Sequence, residues 1–360
     1  LECFLFLTHF TTIPKDSFSK QHPAERKEVF RNGLNLDNME LAIGIDIGGT
    51  NTKIALVDPA GHVVSRTQIS TADQQDEHQF FRSLFFAIAG LLNKTSNEYH
   101  LAGIGAGAPS VNEQQGTIEN AANLPFSARV PFVDVVKEQY GLPVFLVKDS
   151  NASTLGEMRY GAAKGMKNFM LLTLGTGLGC GIVADNNLLG GEYGHGGEAG
   201  HICVQPEGRE CGCGRWGCLE TYVSATGLKR TVFELMSTSM QHSRLRNLSY
   251  DAMTAKNIFD AANSGDALAR KAFDFTGKIL GRALADMAAW FEPEAFILSG
   301  GLAAAGDLLF GPTIENLEKH CLTFHKKKLK VLPSSLGEND AALLGAASLV
   351  WQAASVEVDS

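Results

Sequence analysis

The sequence predicts an α/β protein of two halves, each built on the same unit. Three observations lead there. Residues 41–69 read as strand, Gly-Thr turn, strand, turn, strand, and the same arrangement recurs from residue 169. Helical patterns follow each unit, as a layered α/β fold requires. The chain has 360 residues, more than the roughly 250–300 at which one core stops growing. Two such halves facing each other would set two glycine hairpins on opposite sides of one cleft.

Each element has its own justification. Residues 1–38 are mixed polar sequence without a sustained period, and Met39 stands just before the first convincing strand. The segment is expected to be a disordered extension or a start-site artefact. Residues 41–47 alternate as a strand does, Gly48-Gly49-Thr50-Asn51 turns into a strand at 53–57, and Pro59-Ala-Gly61 turns into another at 62–69. Residues 76–94 form a helix with Phe80, Phe81, Leu84, Phe85, Ile88, Leu91 and Leu92 on one apolar face. Strands follow at 101–107 and 144–147. Asp149 marks the boundary between the halves, placing 39–150 in a smaller domain and 151–339 in a larger one. In the second half, strands at 169–174 and 180–184 flank Gly175-Thr176-Gly177, and Asp185-Asn186-Asn187 turns into a third. Helices are expected at 226–236, 255–264 and 267–291, the last ended by Pro293, then a short strand at 295–298 entering Ser299-Gly300-Gly301, and a final apolar helix at 340–353.

Composition excludes several functions. Net charge is -8, and no basic run exceeds Lys326-Lys327-Lys328-Leu-Lys330, so no nucleic-acid partner is expected. No apolar run approaches the roughly 18–20 residues of a membrane span. Of seven cysteines, three cluster and Cys3, Cys180, Cys203 and Cys321 follow no framework pattern, which fits a reducing cytoplasm.

The cluster is the densest chemistry in the chain. His195-Gly-Gly-Glu198-Ala-Gly-His201 is followed by Cys211-Gly-Cys213-Gly-Arg-Trp-Gly-Cys218-Leu-Glu220. Three thiols at C-x-C-x4-C spacing and one histidine, His201 or His195, suit a closed tetrahedral zinc site. A closed site leaves no open position for a reactant, so the expected role is to fix the loop that carries Glu198 and Glu220, two carboxylates placed for a hydroxyl-rich ligand.

Gly48-Gly49-Thr50 and Gly175-Thr176-Gly177 can both cradle an anion, because glycine brings backbone N–H groups close and threonine adds a donor. Such a turn alone is usually only a turn, but two at equivalent places can hold a triphosphate from both sides. Neither the P-loop nor the Rossmann glycine spacing is present. Asp46, entering the first turn, is a candidate Mg²⁺ carboxylate. Asp149, after the strand at 144–147, is placed to take a proton from an attacking hydroxyl or to cap a helix.

Together Asp46-Ile-Gly-Gly-Thr-Asn51, Lys148-Asp149-Ser-Asn-Ala, Leu-Gly175-Thr-Gly177, Gly-Glu198-Ala-Gly-His201 and above all C-x-C-G-x-x-G-C-x-E at 211–220 resemble the ROK family of sugar kinases and sugar-responsive repressors, over almost all of the chain beyond Met39. The resemblance implies the actin-like ATPase fold: two RNase H-like domains around a nucleotide cleft, with residues 340–354 returning to the first. It implies that Asp149 is the general base, that Asn123, Glu198, His201 and Glu220 contact a sugar, and that His201, Cys211, Cys213 and Cys218 hold zinc. Asp46, Gly48, Gly49, Thr50, Asn51, Gly175, Thr176 and Gly177 would face ATP, Gly300 and Gly301 the adenosine, and the chain would be a homodimer. Lys148 departs from the family's usual Asn before the base; its ammonium is expected to favour ionised Asp149 and weaken it as a base.

The expected activity is ATP- and Mg²⁺-dependent phosphorylation of the 6-hydroxyl of a hexose, glucose first and N-acetylglucosamine second, with N-acetylmannosamine or fructose kinase as the rival. A sugar-sensing regulator without kinase activity is the alternative of another class. Its DNA-binding domain would need some 60–80 residues ahead of the kinase-like body, against 38 before Met39, and both phosphate turns are intact.

Overall fold

A computed structural model describes residues 39–95, 99–121, 124–126, 128–192, 194–337 and 340–358, with side chains to residue 353. The expectations for residues 1–38 and for Asn123 lie outside these residues.

The first half opens with β1 (Met39–Ile47), β2 (Asn51–Val57) and β3 (Val63–Ser70), an antiparallel meander. β1 is buried along most of its length, as a central strand covered on both faces must be, whereas β3 alternates half-buried and exposed residues at the sheet edge. Helix α1 (Glu77–Lys94) begins where the Asp76 carboxylate accepts a 2.8 Å bond from the Gln79 N–H. It buries Phe80, Phe81, Leu84, Phe85, Ile88 and Leu91. β4 (Tyr99–Ala108) runs parallel to β1. Next come β5 (Val111–Asn112), β6 (Thr117–Glu119) and β7 (Arg129–Val130), a small separate sheet, and α2 (Phe132–Tyr140). β8 (Val144–Lys148) then pairs parallel with β4 and leads directly into α3 (Asp149–Tyr160).

The second half repeats the plan with β9 (Phe169–Leu174), β10 (Leu178–Ala184) and the short β11 (Asn187–Leu188). An irregular stretch from 189 to 224 carries the cysteine cluster. Helices α4 (Ala225–Thr238), α5 (Ala255–Asn263) and α6 (Ala267–Phe291) follow, then β12 (Ala295–Ser299), α7 (Asp307–His320), β13 (Lys330–Pro333) and α8 (Ala341–Val358).

The two large sheets have the orders β3-β2-β1-β4-β8 and β11-β10-β9-β12-β13. Each has three antiparallel meander strands and two parallel strands added on the far side of the first. This duplication is the actin-like ATPase fold of two RNase H-like domains. The small sheet, α2, α7 and β13 had not been read from the sequence. Helix α7 contains Pro312, which masks its period because proline ordinarily interrupts a helix interior.

One face of the first sheet is covered by α1 and α2, whose aromatic residues pack on Ile43, Ile45 and Ile54. The other is covered by α8, through Leu343, Leu344, Ala347, Val350 and Trp351. Close approach here depends on absent side chains. A Cβ on Gly105 of β4 would lie 1.8 Å from the Ala346 carbonyl oxygen, and one on Gly345 of α8 would lie 1.7 Å from that of Ala152 on α3. Helices α3 and α8 therefore cross with their backbones in contact. Glu157, fully buried on α3, accepts a 2.7 Å bond from Ala162 N–H and another from the Ser334 hydroxyl, tying α3 to the segment after β13. Replacing Gly345 with alanine should force α8 off α3. Overpacking of this kind costs about 1–3 kcal/mol, so the urea midpoint should fall, whereas Gly165→Ala, in open space, tests only the loss of glycine's positive φ.

Candidate active site and metal cluster

The sheet register assembles the first half of the site. Asp46 pairs with Gly107, and Gly107 with Val147, so the carboxyl ends of β1, β4 and β8 finish side by side. Ligands bind in this position in open α/β sheets. Asp149 is the first residue of α3, immediately beyond β8. Its carboxylate accepts a 2.6 Å bond from the Ser150 N–H. The residue keeps solvent-exposed surface, yet enough protein surrounds the carboxyl for desolvation to raise its pKa, opposed by the Ser150 bond and the Lys148 charge and reinforced by Glu198. Asp46 is also raised, by burial first and by Asp149, against the nearby Lys53. The Lys53 ammonium lies 3.8 Å from Asp46.

The Lys148 expectation holds for that residue's own contribution. Its ammonium does lower Asp149, but burial outweighs it and the net shift is upward. Lys148 Nζ instead bonds Glu198 Oε1, so much of its charge is spent on that neighbour. Glu198 in turn lies 4.0 Å from His201 Nε2. Lys148, Asp149, Glu198 and His201 thus form one polar group. Sequence reasoning missed Glu113, between β5 and β6. Its carboxylate accepts from the Lys148 N–H at 3.3 Å and from Asn151 Nδ2 at 3.1 Å, bracing the start of α3. A lone glutamate in a polar loop carries no signal for this.

The second half supplies the opposite wall. Gly175, Thr176 and Gly177 turn between β9 and β10, closed by a 3.0 Å bond from the Gly175 N–H to the Gly177 carbonyl and anchored by Ala225 N–H on the Gly175 carbonyl at 2.8 Å. Ser299 pairs with Thr173, so Gly300 and Gly301, beyond β12, lie next to this turn. Gly300 has φ +88 and packs against the backbone of Leu174, an arrangement open only to glycine. In the first half, Gly48, Gly49, Thr50 and Asn51 join β1 to β2, with Gly48 N–H on the Asn51 carbonyl at 3.1 Å.

One ligand atom each from His201, Cys211, Cys213 and Cys218 lies within 4.8 Å of the other three. Three sulfurs and an imidazole are the donor set of structural zinc. Cys218 is buried, and burial followed by bonding to Cys213 and Cys211 pushes its thiol up to about 12; thiolates packed this closely need a cation. Zn²⁺ fits these residues, and would fix residues 201–218 as one loop. His195 is exposed and outside the group.

Glu220 joins the cluster to the glycine turn. One oxygen accepts a 2.9 Å bond from the Leu178 N–H, and the other lies 3.8 Å from Cys211 Sγ. Arg209, also missed, anchors the loop from behind. Its buried guanidinium donates to the Thr221 carbonyl at 2.6 Å and to both Glu234 oxygens at 2.8 and 2.6 Å, and lies 4.4 Å from the Tyr222 ring centre. An arginine beside a cysteine in a glycine-rich loop otherwise reads as a solvated charge.

Comparison with known proteins decides the family. The ROK family profile matches residues 42–353. This chain belongs to the ROK family. It is 40% identical over 320 residues to a glucokinase of Halalkalibacterium halodurans, covering 86% of this chain and 94% of that one. It resembles the structure of a ROK family glucokinase from Streptomyces griseus in complex with glucose and AMPPNP, with a TM-score of 0.73, 33% identity and coverage of 87% and 99%. A regulator is also similar: the E. coli NagC protein, 27% identical, of whose length the match covers 75%. Among the described residues no helix is long and apolar enough to cross a membrane.

Two outcomes test this geometry. Cys213→Ser should lower zinc content, read by atomic absorption, and weaken sugar binding by calorimetry. Gly177→Ala would put a Cβ 2.4 Å from Glu220 Oε2, so it should break the bond to Leu178 and raise the ATP KM while far-UV circular dichroism stays unchanged.

Proposed function

We propose that the chain is an ATP-dependent glucokinase that phosphorylates the 6-hydroxyl of glucose and, as a second substrate, N-acetylglucosamine. The observation that carries this reading is Asp149, a desolvated carboxylate at the end of β8 beside Lys148, Glu198 and His201. That group has the donors and acceptors a polyhydroxyl ligand needs. The glucokinase relatives at 33–40% identity support the same activity.

In this reading Glu198, His201 and Glu220 orient the sugar, joined by Asn123. Asp149 accepts the 6-hydroxyl proton as the sugar oxygen bonds the γ-phosphorus and the bond to the departing ADP oxygen breaks. The N–H groups of the Gly48–Thr50 and Gly175–Gly177 turns cradle the phosphates, with Asn51 at the mouth of the first and Gly300-Gly301 against the adenosine. Asp46 would hold Mg²⁺, which when bound neutralises charge on the transferring group. Residues 39–150 with 340–354 would close on 151–339 and exclude water. A homodimer and a cytoplasmic location belong to the same proposal.

Asp149→Asn should reduce kcat by about 10²–10⁴ fold and leave glucose binding measurable by calorimetry. The pH profile has a defined sign. Asp149 must be ionised to accept a proton, so kcat/KM falls as pH falls through its pKa. Because that pKa is raised, the acid limb should lie above the range of an ordinary aspartate. Lys148→Met removes a charge that lowers Asp149 and leaves Glu198 uncompensated, so the limb should move higher still. ADP release with glucose, N-acetylglucosamine, N-acetylmannosamine, mannose and fructose should show glucose turned over fastest. Sugar binding without turnover on any of them would favour the regulator reading.

A further inference from the structure

We infer that Cys203 is a redox-modification site, at which a peroxide drives formation of a disulfide to Cys218 and releases the metal. The inference rests on the zinc reading of the cluster. Cys203 is not one of its four ligands, yet it faces Cys218 across an isolated antiparallel bridge. Bonds from Val204 N–H to the Gly217 carbonyl at 2.8 Å and from Leu219 N–H to the Ile202 carbonyl at 2.9 Å flank that bridge. A pair flanked in this way is the non-hydrogen-bonded kind, whose Cα atoms stand about 4.5 Å apart with side chains on one face. That separation lies within the roughly 4.4–6.8 Å that a disulfide spans. Position 217 is glycine, and the Cys203 sulfur lies 3.3 Å from where its Cβ would be. A side chain at 217 would therefore crowd the Cys203 sulfur, and glycine leaves that sulfur room to turn about its χ1 toward Cys218.

Accessibility sets the order of events. Cys203 is exposed and Cys218 buried, whereas Cys180 and Cys321 are both buried. Cys213 is exposed too, and its sulfur lies 3.7 Å from that of Cys218, but in the loaded protein both sulfurs donate to the metal. Cys203 alone in this loop offers a thiol that is both open to solvent and unengaged by zinc. Its thiolate attacks hydrogen peroxide, breaking the O–O bond to give a sulfenic acid and hydroxide. The Cys218 thiolate then attacks that sulfur, the S–S bond forms, and a second hydroxide leaves; two protons from solvent complete two waters. Two thiolates are oxidised by two electrons and one peroxide is reduced. The cluster loses a ligand, and Zn²⁺ departs.

The experiment treats zinc-loaded full-length protein with hydrogen peroxide in thiol-free buffer. It follows zinc with a chromogenic chelator and maps disulfides by mass spectrometry of a non-reduced digest after alkylation. The expected result is a Cys203–Cys218 disulfide appearing in step with zinc release and reversed by dithiothreitol plus Zn²⁺. Cys203→Ser, with the four ligands intact, should release zinc about tenfold more slowly. Release from that variant at the wild-type rate would overturn the inference. So would a map showing Cys213–Cys218 in place of Cys203–Cys218, or Cys203 carried to sulfinic acid with zinc retained. Zinc absent before oxidation, with Cys203–Cys218 still forming, would remove the zinc reading and leave the cysteine pair standing.

Discussion

The convergence of His201, Cys211, Cys213 and Cys218 within 4.8 Å is the constraint on which the rest of the site depends. Among the described residues, 189–224 contain little regular structure beyond two single 3-10 turns and two isolated antiparallel bridges. The stretch is held in part by Ala199, Leu219, Tyr222 and Val223, which are buried in the core of the second half. The four candidate ligands draw residues 201, 211, 213 and 218 together from within, and Arg209 pins the loop from behind to α4 and Tyr222. Through Glu220 the same loop is bonded to the turn between β9 and β10. The proposed sugar and phosphate sites are therefore mechanically continuous: what moves the cysteine loop moves the glycine turn.

A second constraint is the density of like charge at the carboxyl ends of β1 and β8. Asp46, Asp149, Glu198 and Glu113 lie in one neighbourhood, with Lys148 and Lys53 as the cations that compensate them. Desolvation pushes both aspartates upward, which makes a carboxylate more basic and better matched to a hydroxyl proton. Lys148 has the opposite effect on Asp149 but is shared with Glu198. The balance between these terms is a property of distances, and inspection of Lys148 beside Asp149 in the sequence gives only one of them.

The frame around these charges is two copies of one sheet topology, held by helices that approach at backbone distance. Gly105 and Gly345 make that possible, and Glu157 locks α3 to the segment preceding α8. The junction of the two halves is thus built from small residues and one buried carboxylate, which allows α3 and α8 to lie directly against each other.

The sequence by itself determined the fold class, because strand, glycine turn and strand occur twice with a period that local sterics impose. It determined the cluster, because C-x-C-x4-C with a histidine is rarely arranged by chance, and it marked Asp46 and Asp149 by their position at strand ends. Spacing left His195 and His201 open, and the family resemblance favoured His201; the structure leaves His195 exposed and outside the four-ligand group. Tertiary structure alone decided the rest. Pro312 hid α7, the two- and three-residue strands β5 to β7 were too short to show a period, and Glu113 and Arg209 have roles set by partners 35 to 38 and 12 to 25 residues away. The pKa of Asp149 belongs to that group too. Local pattern records what neighbouring residues do to one another, whereas desolvation and long-range hydrogen bonds arise only once the chain has closed on itself.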